Sequence, residues 1–244
     1  RNNYYHKPIA SLNWELKLNN KTSLSATAYA SLGRGGGSGD LGRNGSFGFF
    51  SSSRWRNADN GYVLWDEVVK HNSGQSANWR YGSTSMGVDA STGQYIVNDE
   101  SFSSRSQYPR RNGWIQRNSV NSHNWFGAIA NLKTELAENL TLDVGFDSRF
   151  YKGLHYRNVR DLLGSDGYRD SRYNGAPNTN GVVAATKEYQ WPIGDVWNVF
   201  GDTDAEEKID RNNNGVIDYF GLYFQLEYLM DDISIFVQGS GSNK

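Results

Sequence analysis

The stretch Ala10-Ser11-Leu12-Asn13-Trp14-Glu15-Leu16-Lys17-Leu18 decides how the chain is read. Taken two residues at a time, Ala10, Leu12, Trp14, Leu16 and Leu18 fall on one face, and Ser11, Asn13, Glu15 and Lys17 on the other. Side chains alternate in this way only in a β-strand with one apolar and one polar side. After the turn residues Asn19, Asn20 and Lys21 the pattern resumes, with Leu24, Ala26, Ala28, Ala30 and Leu32 opposed by Ser23, Ser25, Thr27, Tyr29 and Ser31. The two runs form a hairpin with a tight connection.

The same unit recurs twice. Phe126, Ala128, Ala130, Leu132 and Leu136 oppose Asn131, Lys133 and Glu135; a short turn at residues 137–139 leads to Leu140, Leu142, Val144, Phe146 and Phe150, opposed by Thr141, Asp143, Asp147 and Arg149. Phe220, Leu222, Phe224, Leu226, Tyr228 and Met230 oppose Tyr223, Gln225 and Glu227; after Asp231 and Asp232 come Ile233, Ile235 and Val237, opposed by Ser234 and Gln238. The expectation is about six strands in three hairpins. Between them lie residues 33–123 and 152–219, rich in Gly, Asn, Ser, Arg and Tyr and without sustained periodicity, which read as two long loops. Within the first, Tyr62–Val69 is expected to form a short helix, since Leu64 and Val68, and Trp65 and Val69, are four apart.

Short turns at one end of the strands and long loops at the other are the construction of an antiparallel transmembrane β-barrel. Lipid cannot satisfy an open sheet edge, so a membrane-crossing sheet closes on itself with its apolar side chains outward. The competing reading is a soluble, secreted β-rich module that binds a glycan or other ligand through aromatic loops. Composition suits a β-rich chain with wet faces: 37% of residues are hydrophobic, 14% are aromatic, and mean hydropathy is -0.71. Soluble domains average about 45–50% apolar residues on a count that includes glycine. A formal net charge of -1, from 25 basic and 26 acidic residues, gives no overall pull toward nucleic acid. No apolar run approaches the ~20 residues of a spanning helix. With no cysteine there is neither a disulfide framework nor a cysteine zinc site. The chain opens at Arg1 with no signal peptide, so it is expected to be processed or cut from something longer.

The segments Tyr4-Tyr5-His6-Lys7-Pro8, Ser31-Leu32-Gly33-Arg34-Gly35-Gly36-Gly37-Ser38-Gly39 and Arg117 to Gly127 resemble the barrel region of TonB-dependent outer-membrane receptors of Bacteroidetes type. So do Tyr151 to Arg157, Asp161-Leu162-Leu163-Gly164 and Phe224-Gln225-Leu226-Glu227-Tyr228. The resemblance spans nearly the whole chain and marks architecture rather than chemistry. It implies that residues 1–244 are part of a single 22-stranded barrel domain, a receptor and transporter in the bacterial outer membrane for TonB-energised uptake of a siderophore, glycan, peptide or similar nutrient. The partners it implies are the TonB complex, acting through a plug domain that this chain does not contain, outer-membrane lipid, a surface lipoprotein and the nutrient itself.

Gly35-Gly36-Gly37 lacks the Gly-Lys-Ser/Thr of a phosphate cradle and opens no helix, so it reads as the flexible start of a loop. Asp210, Asn212, Asn214, Val216 and Asp218 match the first ligand positions of a calcium loop, with Gly215 at the sharp turn. The twelfth position is Gly221, where a bidentate acid is expected; Asp202, Asp204, Glu206 and Glu207 lie just upstream. Calcium is therefore the one candidate cofactor, set against a plain Asn/Gly turn. His6, His71, His123 and His155 show no paired metal-ligand spacing, no serine carries a nucleophile signature, and the chain is not read as an enzyme. Trp55, Trp65, Trp79, Trp114, Trp191 and Trp197 are candidates for stacking on a ligand, with mutual packing as the competing role for each.

Overall fold

A computed structural model describes residues 2–44, 47–48, 53–80, 82–89, 92–98, 112–169, 185–190 and 206–244. Over these residues the chain is mainly antiparallel β-sheet. Its strands are β1 (Asn3–His6), β2 (Ile9–Lys17), β3 (Thr22–Asn44), β4 (Phe47–Gly48), β5 (Ala77–Trp79), β6 (Gly82–Thr84), β7 (Ile96–Asn98), β8 (Asn112–Ala137), β9 (Leu140–Asp161), β10 (Gly167–Arg169), β11 (Gly215–Met230) and β12 (Ile233–Asn243). One helix, α1 (Trp65–Asn72), and a 3-10 turn at Ser53–Trp55 complete the described elements. The chain divides into two compact units. A sheet unit comprises Tyr5–Arg34, Ser122–Leu154 and Asn214–Lys244; a loop unit comprises Arg1–Tyr4, Gly35–Asn121 and His155–Asn213.

In the sheet unit the three expected hairpins stand side by side. β2 pairs with β3, and the order continues through β8, β9 and β11 to β12. Within the first hairpin Leu12 faces Ala28 and Leu16 faces Leu24; within the last, Leu226 faces Val237 and Met230 faces Ile233. Asn19 shapes the first turn by accepting the Lys21 amide on its side-chain oxygen at 2.8 Å. The Glu135 amide donates to the Lys21 carbonyl, and the Leu229 amide to the Asn139 carbonyl, each at 2.9 Å. These bonds tie the three turns together at one end of the sheet. Antiparallel order then makes the chain leave through β3 and β9, and return through β8 and β11, at the other end. Among the described residues the sheet is open, with β12 at one margin and β1 and β2 at the other.

The strands run well past the alternating pattern. β3 continues to Asn44 rather than stopping near Leu32, β8 begins at Asn112 rather than Phe126, and β9 reaches Asp161 rather than about Phe150. Alternation ends because, in the loop unit, strand residues on both faces pack against other parts of the chain, while backbone pairing continues. The glycine run shows this: Gly36 lies against the Ser119 backbone and Gly39 against the Arg117 guanidinium. It is part of β3, not a flexible start to a loop.

The two long segments fold together in the loop unit. One core joins Leu41, Met86, Val97 and Ile115 of the first segment to Val159, Leu162, Tyr168, Ala185 and Ile209 of the second. A second core packs Trp55, Val68, Ala77 and Trp114 against Leu163. β10 adds to β7 in the parallel sense, again across segments. Helix α1 lies three residues beyond the expected Tyr62–Val69 at both ends. Starting after Leu64 puts Asp66 and Glu67 in its first turn and Lys70 and His71 in its last, the arrangement its dipole favours.

Extending the helix to Asn72 buries that side chain completely, and every polar atom of it is used. Its amide nitrogen donates to the carbonyls of Trp114 at 2.7 Å, Leu163 at 3.1 Å and Leu162 at 3.4 Å. Its carbonyl oxygen accepts the Trp114 amide at 3.4 Å. One side chain thus joins α1 to β8 and to the residues following β9. Replacing it strands buried carbonyls, each costing roughly 1–3 kcal/mol. Asn72→Ala is expected to destabilise the loop unit by about 2–4 kcal/mol. Hydrogen exchange checks this: protection at Trp114 and Leu163 should fall while the amides of β11 and β12 keep theirs.

Candidate functional site

The sheet unit presents two chemically opposite surfaces, and the register shows that both are continuous across strands. On one, Leu142, Val144 and Phe146 of β9 stand opposite Leu226, Phe224 and Leu222 of β11, and Leu226 and Tyr228 stand opposite Val237 and Ile235 of β12. Trp14 and Leu12 of β2 continue the surface beside Ala26 and Ala28 of β3. Nothing in the described chain covers these residues: Trp14 is 51% exposed, Leu222 63%, Ile233 58% and Val237 61%. Soluble monomers rarely leave apolar patches larger than a few hundred Å² in water. Here the patch spans six strands. Within it Phe150 meets Phe220 edge-on, with ring centroids 5.4 Å apart.

The opposite surface is mainly polar and internally bonded, with Leu229 and Phe236 as exposed apolar exceptions. Thr27 donates to Asn13 at 2.8 Å, Ser234 to Glu227 at 2.7 Å and Tyr223 to Asn131 at 3.2 Å. Arg149 lies 3.7 Å from Asp147 and holds its guanidinium 5.7 Å from the centre of the Tyr219 ring. Alternation alone assigned most of these residues to this side. Sequence reading placed Tyr29 and Tyr223 on this side but missed Tyr219, Gly127 and Gly145, which share it. Parity was the available signal, but only the register sets Tyr223 directly across from Gly145.

Of the tryptophan candidates, Trp55 and Trp114 are fully buried in the loop unit and present no face to a ligand in this structure. Trp55 packs edge-on to Trp114 at 4.8 Å and parallel to the half-buried Trp79 at 5.9 Å. Arg54 covers Trp79 at 5.8 Å. These three form a core, the competing role named for them. Trp65, at the start of α1, is 41% exposed, and Trp191 and Trp197 lie outside the described residues.

The calcium-like residues divide between the units. In the loop unit the Asp210 carboxylate is ion-paired with Arg157, Asn212 bridges to Tyr156, and the Asn213 amide donates to the His155 carbonyl at 2.8 Å. In the sheet unit Asn214 precedes β11, and Val216 and Asp218 are strand residues opposite Lys152 and Phe150. A calcium loop curls so that several oxygens meet an ion at about 2.3–2.6 Å; a strand instead advances about 3.3 Å per residue. Among the described residues no three His, Asp or Glu side chains converge. Asp202 and Asp204 lie outside the described residues.

With both surfaces and the loop core described, comparison with known proteins returns nothing: no protein family matches the chain, and no curated protein or solved structure is similar to it.

His71 is the titratable group set deepest in the tryptophan core. Its ring lies 5.8 Å from that of Trp55 and 6.1 Å from that of Trp114, and its Nε2 bonds the Asn112 carbonyl at 3.0 Å. Burial pushes its pKa below the ordinary 6.5, opposed by the backbone at Asn112 and Thr84. The unfolded chain therefore binds this proton more readily than the folded one, and stability rises with pH across the window. The loop unit should be most stable above pH 6.5 and lose stability as pH falls from there toward the depressed folded value. Unfolding followed by tryptophan fluorescence at pH 8 and pH 5.5 checks this; His71→Gln should flatten the dependence.

Proposed function

We propose that the chain forms part of the wall of a transmembrane β-barrel in the bacterial outer membrane, belonging to a receptor that imports a nutrient with energy from TonB. The observation that carries the membrane reading is the uncovered apolar face of the sheet unit. On β9 it runs from Leu140 to Phe150, broken only at Ser148. Ten steps at about 3.4 Å give roughly 34 Å along the strand. Tilted by about 40°, that becomes about 26 Å, the height of the apolar band on outer-membrane barrels. A soluble module would need a second layer over this face, and the described chain supplies none.

In lipid the margins at β2 and β12 must be continued by further strands until the sheet closes, since an open edge strands its amides and carbonyls. The polar face, with Glu15, Lys133, Asp143, Asp147 and Arg149, then lines the lumen. The loop unit, built from both long segments, becomes the extracellular part and the place where cargo is first met, as binding residues usually sit on loops held by a rigid scaffold. TonB coupling, the plug domain and a surface lipoprotein partner rest on the sequence resemblance. The chain acts by binding and passage rather than by chemistry.

Leu142→Arg in the full protein places a charge on the lipid side and is expected to cost about 2–4 kcal/mol near the midplane. Thr141→Arg, one residue away, faces the lumen and should be tolerated. Heat-modifiable gel mobility of outer-membrane fractions reads assembly of each. Equal assembly of the two variants would contradict the assignment of faces.

A further inference from the structure

We propose that the loop unit closes a covalent bond upon itself: an amide from Nζ of Lys208 to Cγ of Asn158, formed with release of ammonia. This bond forms whether or not the sheet unit meets lipid. On β9, Tyr156 and Asn158 are two residues apart and so share a face, and both are fully buried. Residues 206–213 run alongside. The Asn213 amide donates to the His155 carbonyl at 2.8 Å, the Arg157 amide to the Arg211 carbonyl at 2.9 Å, and the Ile209 amide to the Arg157 carbonyl at 2.8 Å. Ile209 joins Val159 in the core. Its neighbour Lys208 turns to the other side, where its Nζ lies 5.2 Å from the centre of the Tyr156 ring. Lys208 is only 4% exposed, a costly place for an ammonium.

Around Asn158 stand the groups that such a reaction needs. The Asn118 side-chain nitrogen donates to Asn158 Oδ1 at 2.9 Å, which polarises Cγ and stabilises the oxyanion that attack there creates. Asn158 Nδ2, the leaving nitrogen, donates to Glu206 Oε2 at 2.7 Å. Glu206 precedes Lys208 by two residues, so one short segment supplies both the attacking amine and the carboxylate at the leaving group. Strand positions two apart are separated by about 7 Å, and rotation of the flexible lysine stem carries Nζ from Tyr156 to Asn158. Glu206 takes a proton from Nζ, the freed amine attacks Cγ, and the Cγ–Nδ2 bond breaks as Glu206 returns that proton to the departing nitrogen. Nζ gives up a second proton to the ammonia, so ammonium leaves and Glu206 ends as a carboxylate. No electrons are transferred and no co-reactant is consumed. Asn118 is the poorer electrophile. Its own Oδ1 accepts no hydrogen bond among the described residues, and its nitrogen donates to the oxygens of Asn158 and Tyr189 rather than to an acid. The reaction happens once per chain and ties β9 to the segment ahead of β11.

Peptide mapping by mass spectrometry of the full protein, purified in detergent and then denatured, tests the bond. Trypsin should leave the peptide Asn158-Val159-Arg160 attached at Lys208, a site it then fails to cut. The linked species should weigh less than the sum of its two peptides by one ammonia, and should replace both free peptides. Lys208→Arg keeps the charge but lacks the lysine amine, and Glu206→Gln keeps the shape but cannot carry the proton; each should abolish the link and release the two peptides separately. Near-UV circular dichroism of the buried tryptophans reports separately whether the loop unit of each variant is folded. Should one variant not fold, the other takes its place beside the wild-type map. Separate peptides from folded wild-type protein, a link from Lys208 to any residue other than Asn158, or an unchanged link in folded Glu206→Gln protein would overturn the proposal.

Discussion

Every strand of the sheet unit obeys one constraint: a side chain points to one face or the other, and a slip of one residue would reverse them all. At stake are Leu12, Trp14, Val144, Phe146, Leu222 and Ile235 on one side, and Asn13, Glu15, Asp143 and Glu227 on the other. In hairpins with short turns, loop length fixes the register, so the turns at residues 18–21, 138–139 and 231–232 decide which side faces which solvent. Asp231, with φ of +37°, takes the strained backbone that lets the last of these turns stay short. Small turns thus sort the chemistry of two surfaces, and the membrane reading follows from that sorting.

The loop unit is held by different means. Its strands need not separate apolar from polar, because the faces of β3, β8 and β9 are there covered by chain. Stability comes from buried aromatic and aliphatic cores and from fully satisfied polar side chains such as Asn72. Asn118 and Asn158, also fully buried, bond one another at 2.9 Å, and Asn158 donates to Glu206 at 2.7 Å. Such networks favour one arrangement, since each missing partner leaves a desolvated group. A loop region built this way keeps its surface in one shape.

How much of this was legible in the sequence depended on which surroundings a residue faced. Where strands separate two environments, parity alone placed all three hairpins and assigned Leu142 and Thr141 to opposite faces. Where both sides are packed, the pattern vanished, and the outer parts of β3, β8 and β9 passed for loop. The helix was found but displaced, because Asn72 is held by tertiary bonds to residues 114 and 162–163 that no local pattern encodes. The tryptophans were seen as a group, yet their mutual packing depends on chain neighbours distant in sequence. The calcium-like spacing describes an order of residues, and β-pairing of Val216 and Asp218 used the same residues for a strand. Glycines opposite tyrosines became meaningful only once strands were aligned.

The central claim, that the apolar face of the sheet unit meets lipid, is tested most directly by spin labels placed one at a time at residues 140–147 of the full protein in bilayers. Collision rates with oxygen, which concentrates in lipid, and with a water-soluble nickel chelate are read at each position. The account predicts alternation with a period of two: oxygen access at 140, 142, 144 and 146, and chelate access at 141, 143, 145 and 147. Chelate access at all eight positions, or no alternation, would contradict it.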